Sequence, residues 1–170
     1  DKISSSDHIN IFLDSYFDRR TAFAFTVTPD NVQRDVLHTD DTRRDDSWNS
    51  VWYSSTERYD YGWVAEVEIP FSCLRFGSKP MHNWGLQLER WIQREKEHDQ
   101  WRLIGENDSG FFVSKFGLLG GIRDIKPPRM LEILPYAMGN FQDNEQLSSD
   151  LTHEVGVDIK YGLGSDITLD

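Results

Sequence analysis

The 170-residue sequence predicts an all-β fold, an antiparallel β-sandwich. Apolar residues recur along the chain with a period of two, and helical periodicity is not evident. Polar, turn-rich stretches separate the alternating segments, as is typical of sandwiches built from short strands. Aromatic residues make up 13% of the chain, and this content indicates a buried core, since disordered chains are poor in aromatics.

The predicted strands before residue 105 follow this alternation in order. The first places Ile9, Ile11 and Leu13 on one face. The clearest runs through Trp63 and ends at Pro70, because proline has no N–H to donate to a strand ladder. The five segments are residues 9–13, 21–27, 61–69, 84–92 and 100–104.

The pattern changes towards the end of the chain. Lys126-Pro127-Pro128 predicts a stiff connector, because proline restricts its own backbone and that of the preceding residue. Residues 130–141 and 152–170 alternate again on either side of a polar loop at 142–150. Such segments fit both transmembrane barrel strands and a soluble hairpin. The expected domains are therefore a sandwich at residues 1–125 and a linker with strands at residues 126–170.

Charge and composition limit the classes of ligand and of site that we expect for this chain. The formal net charge is −11, which argues against nucleic acid and anionic membranes as ligands, because phosphate binding needs a basic face. The single cysteine, Cys73, excludes an internal disulfide and a cysteine-rich zinc site. No apolar run is long enough for a transmembrane helix.

Motifs that would indicate catalysis are not found in the sequence. It contains no nucleophile elbow, no zinc-protease motif and no phosphate-binding loop. The five histidines are isolated in polar contexts, and Cys73 lies in an apolar stretch typical of an inert buried thiol. These observations favour a protein that is not an enzyme.

Several stretches together resemble one family. This is the family-9-type carbohydrate-binding-module-like domain that precedes an outer-membrane β-barrel of unknown function, the domain of unknown function 5916 type. The resembling stretches are LDSYFDRRTAFAFTVTPDNVQRD (13–35), SWNSVW (47–52), GWVAEVEIPFSCLRF (62–76), WGLQLERWIQREKE (84–97), SGFFVSKFGLLGGI (109–122), RMLEILPY (129–136) and VGVDIKYGLGSDITLD (155–170).

The resemblance implies a fold, a location and a class of ligand. It implies a jelly-roll-like sandwich of the carbohydrate-binding-module or DOMON type, followed at residues 126–170 by a linker and the first strands of a truncated outer-membrane β-barrel. The family pattern also implies further strands upstream of Asp1 and a barrel that continues past Asp170. The implied function is non-catalytic binding of an oligosaccharide or polysaccharide, linked to glycan capture or uptake, at the outer membrane of a bacterial cell envelope. Whether the module lies on the periplasmic or the extracellular side stays open. Two alternatives also stay open, a structural cap of the barrel and a membrane-associated hydrolase, a label that some relatives carry.

The sequence also supplies a candidate sugar site. A sugar site needs an aromatic platform and planar polar groups. If Ile92 pairs with Trp101 across the charged loop, Trp101 is buried and the outer face carries four such groups. They are Gln87, Glu89, Trp91 and Arg102. The alternative is that Trp91 is covered by a neighbouring loop or by the barrel.

Calcium is the candidate cofactor, because sandwiches of the resembling type often hold Ca²⁺ through oxygen ligands. The densest group of acidic residues is Asp40, Asp41, Asp45 and Asp46. Asp14 and Asp18 form a second candidate. Arg43 and Arg44 interrupt the first group, so a solvated loop is the alternative.

Overall fold

The computed structural model describes residues 3, 5–108, 112–127, 131–142, 150–162 and 168–169. Within these ranges it contains twelve β-strands, three short 3-10 helices and no α-helix. Every strand pair is antiparallel, so the predicted all-β class is confirmed. The chain divides into two compact units, Asp1–Pro127 and Pro128–Asp170.

The first unit contains a large sheet and a hairpin. Its strands are β1 (His8–Asp14), β2 (Ala22–Val27), β3 (Gln33–Thr39), β4 (Arg43–Asp45), β5 (Tyr53–Tyr59), β6 (Gly62–Glu68), β7 (Met81–Ile92), β8 (Glu97–Gln100) and β9 (Gly117–Arg123). The large sheet has the order β4-β3-β2-β1-β7-β8, and β9 also pairs with β7. Strand β7 is long enough to pair with β1 along one edge and with both β9 and β8 along the other. Strands β5 and β6 pair only with each other.

The main core lies between the large sheet and the β5–β6 hairpin. Phe25 is buried among the rings of Trp48 and Trp52, with centroids 5.9 and 5.3 Å away. Trp63 and Val67 pack on this core from the hairpin side. Burial of these rings supplies much of the apolar contact that holds the two layers together. The arrangement is sandwich-like, as predicted.

Strands of hydrophilic sequence are the main difference from the prediction. The segments QRDVLHT (β3) and YSSTERY (β5) form strands although their alternation is weak. Strand β8 lies at Glu97–Gln100, inside a charged run that predicts a loop. These segments are strands because they hydrogen-bond to a neighbouring strand. A period-two pattern of apolar residues in the sequence does not reveal that pairing.

The second unit is a hairpin with a short third strand. Its strands are β10 (Leu131–Gln142), β11 (Asp150–Gly162) and β12 (Thr168–Leu169). β10 and β11 pair from Leu131↔Tyr161 to Gln142↔Asp150 without a shift in register. The interior of the loop predicted at 142–150 lies outside the described residues, and so does Pro128 of the predicted connector.

Candidate functional site

One face of the large sheet carries a polar row that crosses five adjacent strands. Residues opposite each other on neighbouring strands lie side by side on the same face. From β3 to β8 the row is Arg34, Thr26, Asn10, Glu89 and Gln100. Residues that alternate with these, such as Ile11 and Phe25, pack in the main core. The polar row therefore belongs to the opposite face.

Hydrogen bonds join this row from strand to strand. The Thr26 hydroxyl donates to Asn10 Oδ1 at 2.8 Å, and Asn10 Nδ2 donates to Glu89 Oε2 at 3.4 Å. Gln100 Nε2 donates to Glu89 Oε1 at 3.1 Å. Glu89 is only 7% exposed, and a buried carboxylate needs such donors to offset the loss of hydration. Its two oxygens are therefore held in place as hydrogen-bond acceptors on this face of the sheet.

A second row on the same face stacks three rings. His8, Trp91 and His98 are cross-strand neighbours on β1, β7 and β8. The ring centroids of Trp91 and His98 lie 4.4 Å apart at 11°, and those of His8 and Trp91 lie 6.2 Å apart at 23°. His98 Nε2 also lies 3.3 Å from Glu89 Oε2. Trp91 is therefore flanked by an imidazole on each side and is not an open platform for a sugar ring.

At the other end of this face, aromatic rings pack around His38 and a neighbouring segment partly covers them. The His38 ring packs against Phe12 and Phe112, with centroids 5.6 and 5.2 Å away. Burial lowers the pKa of His38 to about 4, and the positive charge of Arg44 adds to this effect. His38 is therefore neutral at about pH 7, where its ring can donate one hydrogen bond and accept another.

The covering segment, residues 112–116, is held by one aspartate. Asp41 Oδ1 accepts the backbone N–H groups of Phe112 and Ser114, each at 2.9 Å, and Oδ2 accepts the Ser114 hydroxyl at 2.8 Å. Burial opposes ionisation of Asp41, but these hydrogen bonds outweigh it and lower the pKa of the carboxyl. Part of the face stays open beside Phe112 as a cleft of about 310 Å³. Below, this feature is called the cleft.

Three of the four predicted sugar-site residues share this face. Gln87, Glu89 and Trp91 alternate along β7, and Glu89 and Trp91 line the cleft. Gln87 is fully buried and binds the main chain of Arg102: its Nε2 donates to Arg102 O at 2.6 Å, and Arg102 N donates to its Oε1 at 3.0 Å. The exposed side chain of Arg102 does not line the cleft. The hydrogen bonds between the Gln87 side chain and the main chain of Arg102 therefore hold the segment after β8 against β7.

The predicted register across the charged run is wrong. Residues 93–96 form the turn, so Ile92 pairs with Glu97 and Trp91 with His98. Trp101 is 56% exposed instead of buried. Its ring covers Gly117, where a Cβ atom would collide with it. A shift of register changes every cross-strand partner, and this one replaces Arg102 by His98 beside Trp91.

The predicted calcium ligands are not brought together. They are Asp40, Asp41, Asp45 and Asp46. Asp41 is used by the covering segment, and the other three carboxylates accept from Arg20, Ser47 and Arg44 respectively. Among the residues that the structure describes, no three His, Cys, Asp or Glu side chains are close enough to hold a metal ion. Asp40 and Asp41 lie in a turn with positive φ, whereas Asp45 is the last residue of β4 and Asp46 follows that strand.

The second calcium candidate is a turn cap. Asp14 accepts the backbone N–H groups of Asp18 at 3.1 Å and Arg19 at 3.0 Å. Burial raises the pKa of Asp14 more than these hydrogen bonds lower it. Its Cβ packs so closely on Gly85 that an added Cβ there would lie 2.9 Å away. Asp14 therefore fixes the chain after β1.

Several residues of the cleft were not predicted from the sequence. Asn10 alternates with Ile9 and Ile11, so its side of β1 could be predicted, but its neighbour Glu89 lies 79 positions away. Arg34 and His38 belong to β3, a strand with a weak sequence signal. The order of strands in the sheet, which brings these residues together, is not readable from local patterns.

Comparisons with known proteins found no similar protein. No family model, no curated protein and no solved structure matches the chain. None of the helices within the described ranges has the length and apolar character needed to cross a membrane.

Proposed function

We propose that the first unit is a non-catalytic carbohydrate-binding module whose binding site is the cleft. The observation that carries the proposal is the row of hydrogen-bonding side chains across the sheet, with rings at both borders. Saccharides present hydroxyls and apolar C–H faces together, and sites for small molecules combine a few fixed polar groups with apolar walls. The cleft has both features in Glu89, Asn10, Trp91 and Phe112.

The chemistry of Glu89 favours binding over hydrolysis. Both of its oxygens already accept hydrogen bonds, from Asn10 on one and Gln100 on the other. A glycosidase of the usual kind requires two carboxylates on opposite sides of the bond to be cleaved. Glu89 is the one carboxylate among the described residues that line the cleft. We assign it the role of a fixed hydrogen-bond acceptor.

Replacing Trp91 by alanine is expected to weaken saccharide binding by roughly tenfold or more. The variant loses the ring that forms one wall of the cleft, and it also loses the ring against which His98 stacks. Glycan-array screening followed by isothermal titration on the best binder measures the effect. Trp91→Phe keeps a planar ring between the histidines and should retain most of the affinity.

Trp101→Ala is the matched control. Trp101 is a second tryptophan directly after β8, exposed and outside the lining of the cleft. Its removal should leave affinity unchanged. Equal losses in the two variants would contradict the assignment of the cleft, and no binding to any saccharide would favour a structural cap of the barrel.

We further propose that the second unit begins an outer-membrane β-barrel, which would place the module at a bacterial cell envelope and link it to glycan capture. The support is the alternation of apolar and polar residues in the sequence of β11 and its unbroken antiparallel pairing with β10. The alternating apolar residues of β11 include Val155 and Val157, and Val157 is the register partner of Pro135. Val155 and Val157 are exposed. Barrel strands alternate in this way, with their apolar residues facing lipid.

Placing a charge among these apolar residues should reduce assembly in the membrane. Val157→Lys in the protein expressed from its complete reading frame is expected to lower the folded, heat-modifiable fraction in outer membranes severalfold, because a lysine facing lipid is destabilising. Asp158→Lys, at the adjacent polar position of the alternating sequence, is the control and should assemble normally. A protein that fractionates with soluble contents in every variant would contradict the barrel.

A further inference from the structure

The β5–β6 hairpin has an exposed outer face. Trp63, Ala65 and Val67 of β6 pack on the main core, so the residues that alternate with them point away from it. These outward positions pair with outward positions of β5, as Val64 does with Glu57. Close to the turn, the exposed residues of this face are Glu57, Tyr59, Tyr61, Val64 and Glu66. Below, these five residues are called the hairpin patch.

Two tyrosine rings of the hairpin patch are exposed but held in place. The rings of Tyr59 and Tyr61 stack, with their centroids 5.4 Å apart at 15°. The Tyr59 hydroxyl donates to Glu57 Oε2 at 2.8 Å. Tyr59 is 42% exposed and Tyr61 is 86% exposed, so most of the Tyr61 ring is open to a partner. Ordered aromatic side chains lose little conformational entropy on binding and are enriched in protein interfaces.

The hairpin patch is also negatively charged. Residues 57–66 contain three acidic side chains and one basic side chain, Arg58. The acidic residues are Glu57, Asp60 and Glu66. Arg58 pairs with Asp30 at 2.6 Å, so its charge is already matched. The hydrogen bond to Glu57 raises the pKa of the Tyr59 hydroxyl, and the charge of Glu66 adds to this effect. Both carboxylates therefore act on the same aromatic group.

We propose that the hairpin patch binds a basic segment of another protein, whose arginine side chains lie on the tyrosine rings and beside the glutamates. A guanidinium group suits both contacts, because it is planar, stacks on aromatic faces and donates to carboxylates. Charge complementarity selects this partner, since an acidic segment would be repelled and an uncharged one would cover the carboxylates without pairing them. The hairpin patch shares no residue with the lining of the cleft, so this inference does not depend on saccharide binding.

The test is titration of the 170-residue chain with a nine-residue peptide in which three arginines alternate with serines. In an extended peptide, alternate residues lie about 7 Å apart on one face, which is the spacing of Glu57 and Tyr59 along β5. The reference is the same peptide with citrulline in place of arginine, which keeps the shape and removes the charge. The arginine peptide should bind roughly fivefold or more tightly, because citrulline loses both the cation–π contact and the charge pair.

Two variants test whether the peptide binds at the hairpin patch. Tyr61→Ser and Glu57→Gln should each weaken binding of the arginine peptide by about threefold. Tyr53→Ser is the matched control for the first, because Tyr53 is exposed on the same strand about 20 Å from Tyr59. Glu97→Gln is the control for the second, because Glu97 is exposed on β8 of the other sheet and its replacement changes the net charge equally. Both controls should bind the peptide like the native chain.

Two results would overturn this proposal. One is equal affinity for the arginine and citrulline peptides. The other is a loss in the two control variants as large as in Tyr61→Ser and Glu57→Gln, because the attraction would then come from the net charge of the whole chain. A preference for arginine that only the two variants of the hairpin patch reduce would support it.

Discussion

Asp41→Ala is expected to lower the free energy of unfolding by about 3 kcal/mol, because three hydrogen bonds to a charged acceptor are lost and two backbone N–H groups lose their partner. The donors are the backbone of Phe112 and Ser114 and the Ser114 hydroxyl. Each such bond contributes about 1.5–3 kcal/mol when fully buried, and the partial exposure of Asp41 reduces the sum. Urea denaturation at about pH 7 measures the change. Saccharide binding should weaken in parallel, since the same segment positions Phe112 at the cleft.

Asp40→Ala is the control for this variant. Asp40 makes an exposed ion pair with Arg20 at 2.7 Å, and such pairs contribute about 0–1 kcal/mol. Both aspartates have positive φ, 49° for Asp40 and 72° for Asp41, so the strain of an alanine there is common to the two variants. Asp41→Asn should recover much of the loss, because its amide oxygen can still accept from both backbone groups. Equal losses at the two positions would show that Asp41 does not anchor the covering segment.

The second large effect is on pH dependence. We expect stability to fall by about 3 kcal/mol between about pH 7 and pH 4 through His38 alone. Its pKa in the folded protein is about 4, against 6.5 for an unperturbed histidine. Below about pH 6.5 the unfolded chain binds a proton that the folded chain does not. The stabilisation is thus fully present above the unfolded pKa and is lost as the pH falls towards the folded pKa.

The measurement is urea unfolding at several pH values, compared between the native chain and His38→Phe. Other groups titrate in the same window, including Asp14, whose raised pKa has the opposite effect on stability. They are common to both proteins, so the difference between the two curves isolates His38. Curves that stay parallel from pH 7 to pH 4 would contradict the assignment of a buried, neutral imidazole.

Much of the cleft face of β7 could be predicted because alternation along one strand is a local property. Leu86 packs against the main core, and Gln87, Glu89 and Trp91 take the opposite face for that reason. The partners of these residues could not be predicted, because the register of β8 depends on a turn within a run of charged residues. The error of register replaced His98 by Arg102 and made Trp91 seem a more open platform than it is.

The predicted calcium ligands lie apart for a related reason. Nearness in sequence brings aspartates into one segment, but backbone conformation decides where each carboxylate points. The adjacent Asp40 and Asp41 illustrate this, since one pairs with Arg20 at the surface and the other binds the segment around Ser114. A local count of acidic residues contains no information on such long-range donors.

The sequence by itself determined that the chain is built from antiparallel strands. It also determined which side chains of each clear strand face the core, because every second residue of a strand with one buried face is apolar. Only the tertiary structure decided that β1 lies between β2 and β7, and thereby that Asn10, Thr26 and Glu89 meet in one polar row. Contacts between strands far apart in sequence depend on how the sheet closes over its core. That closure is a property of the whole chain, and no single segment encodes it.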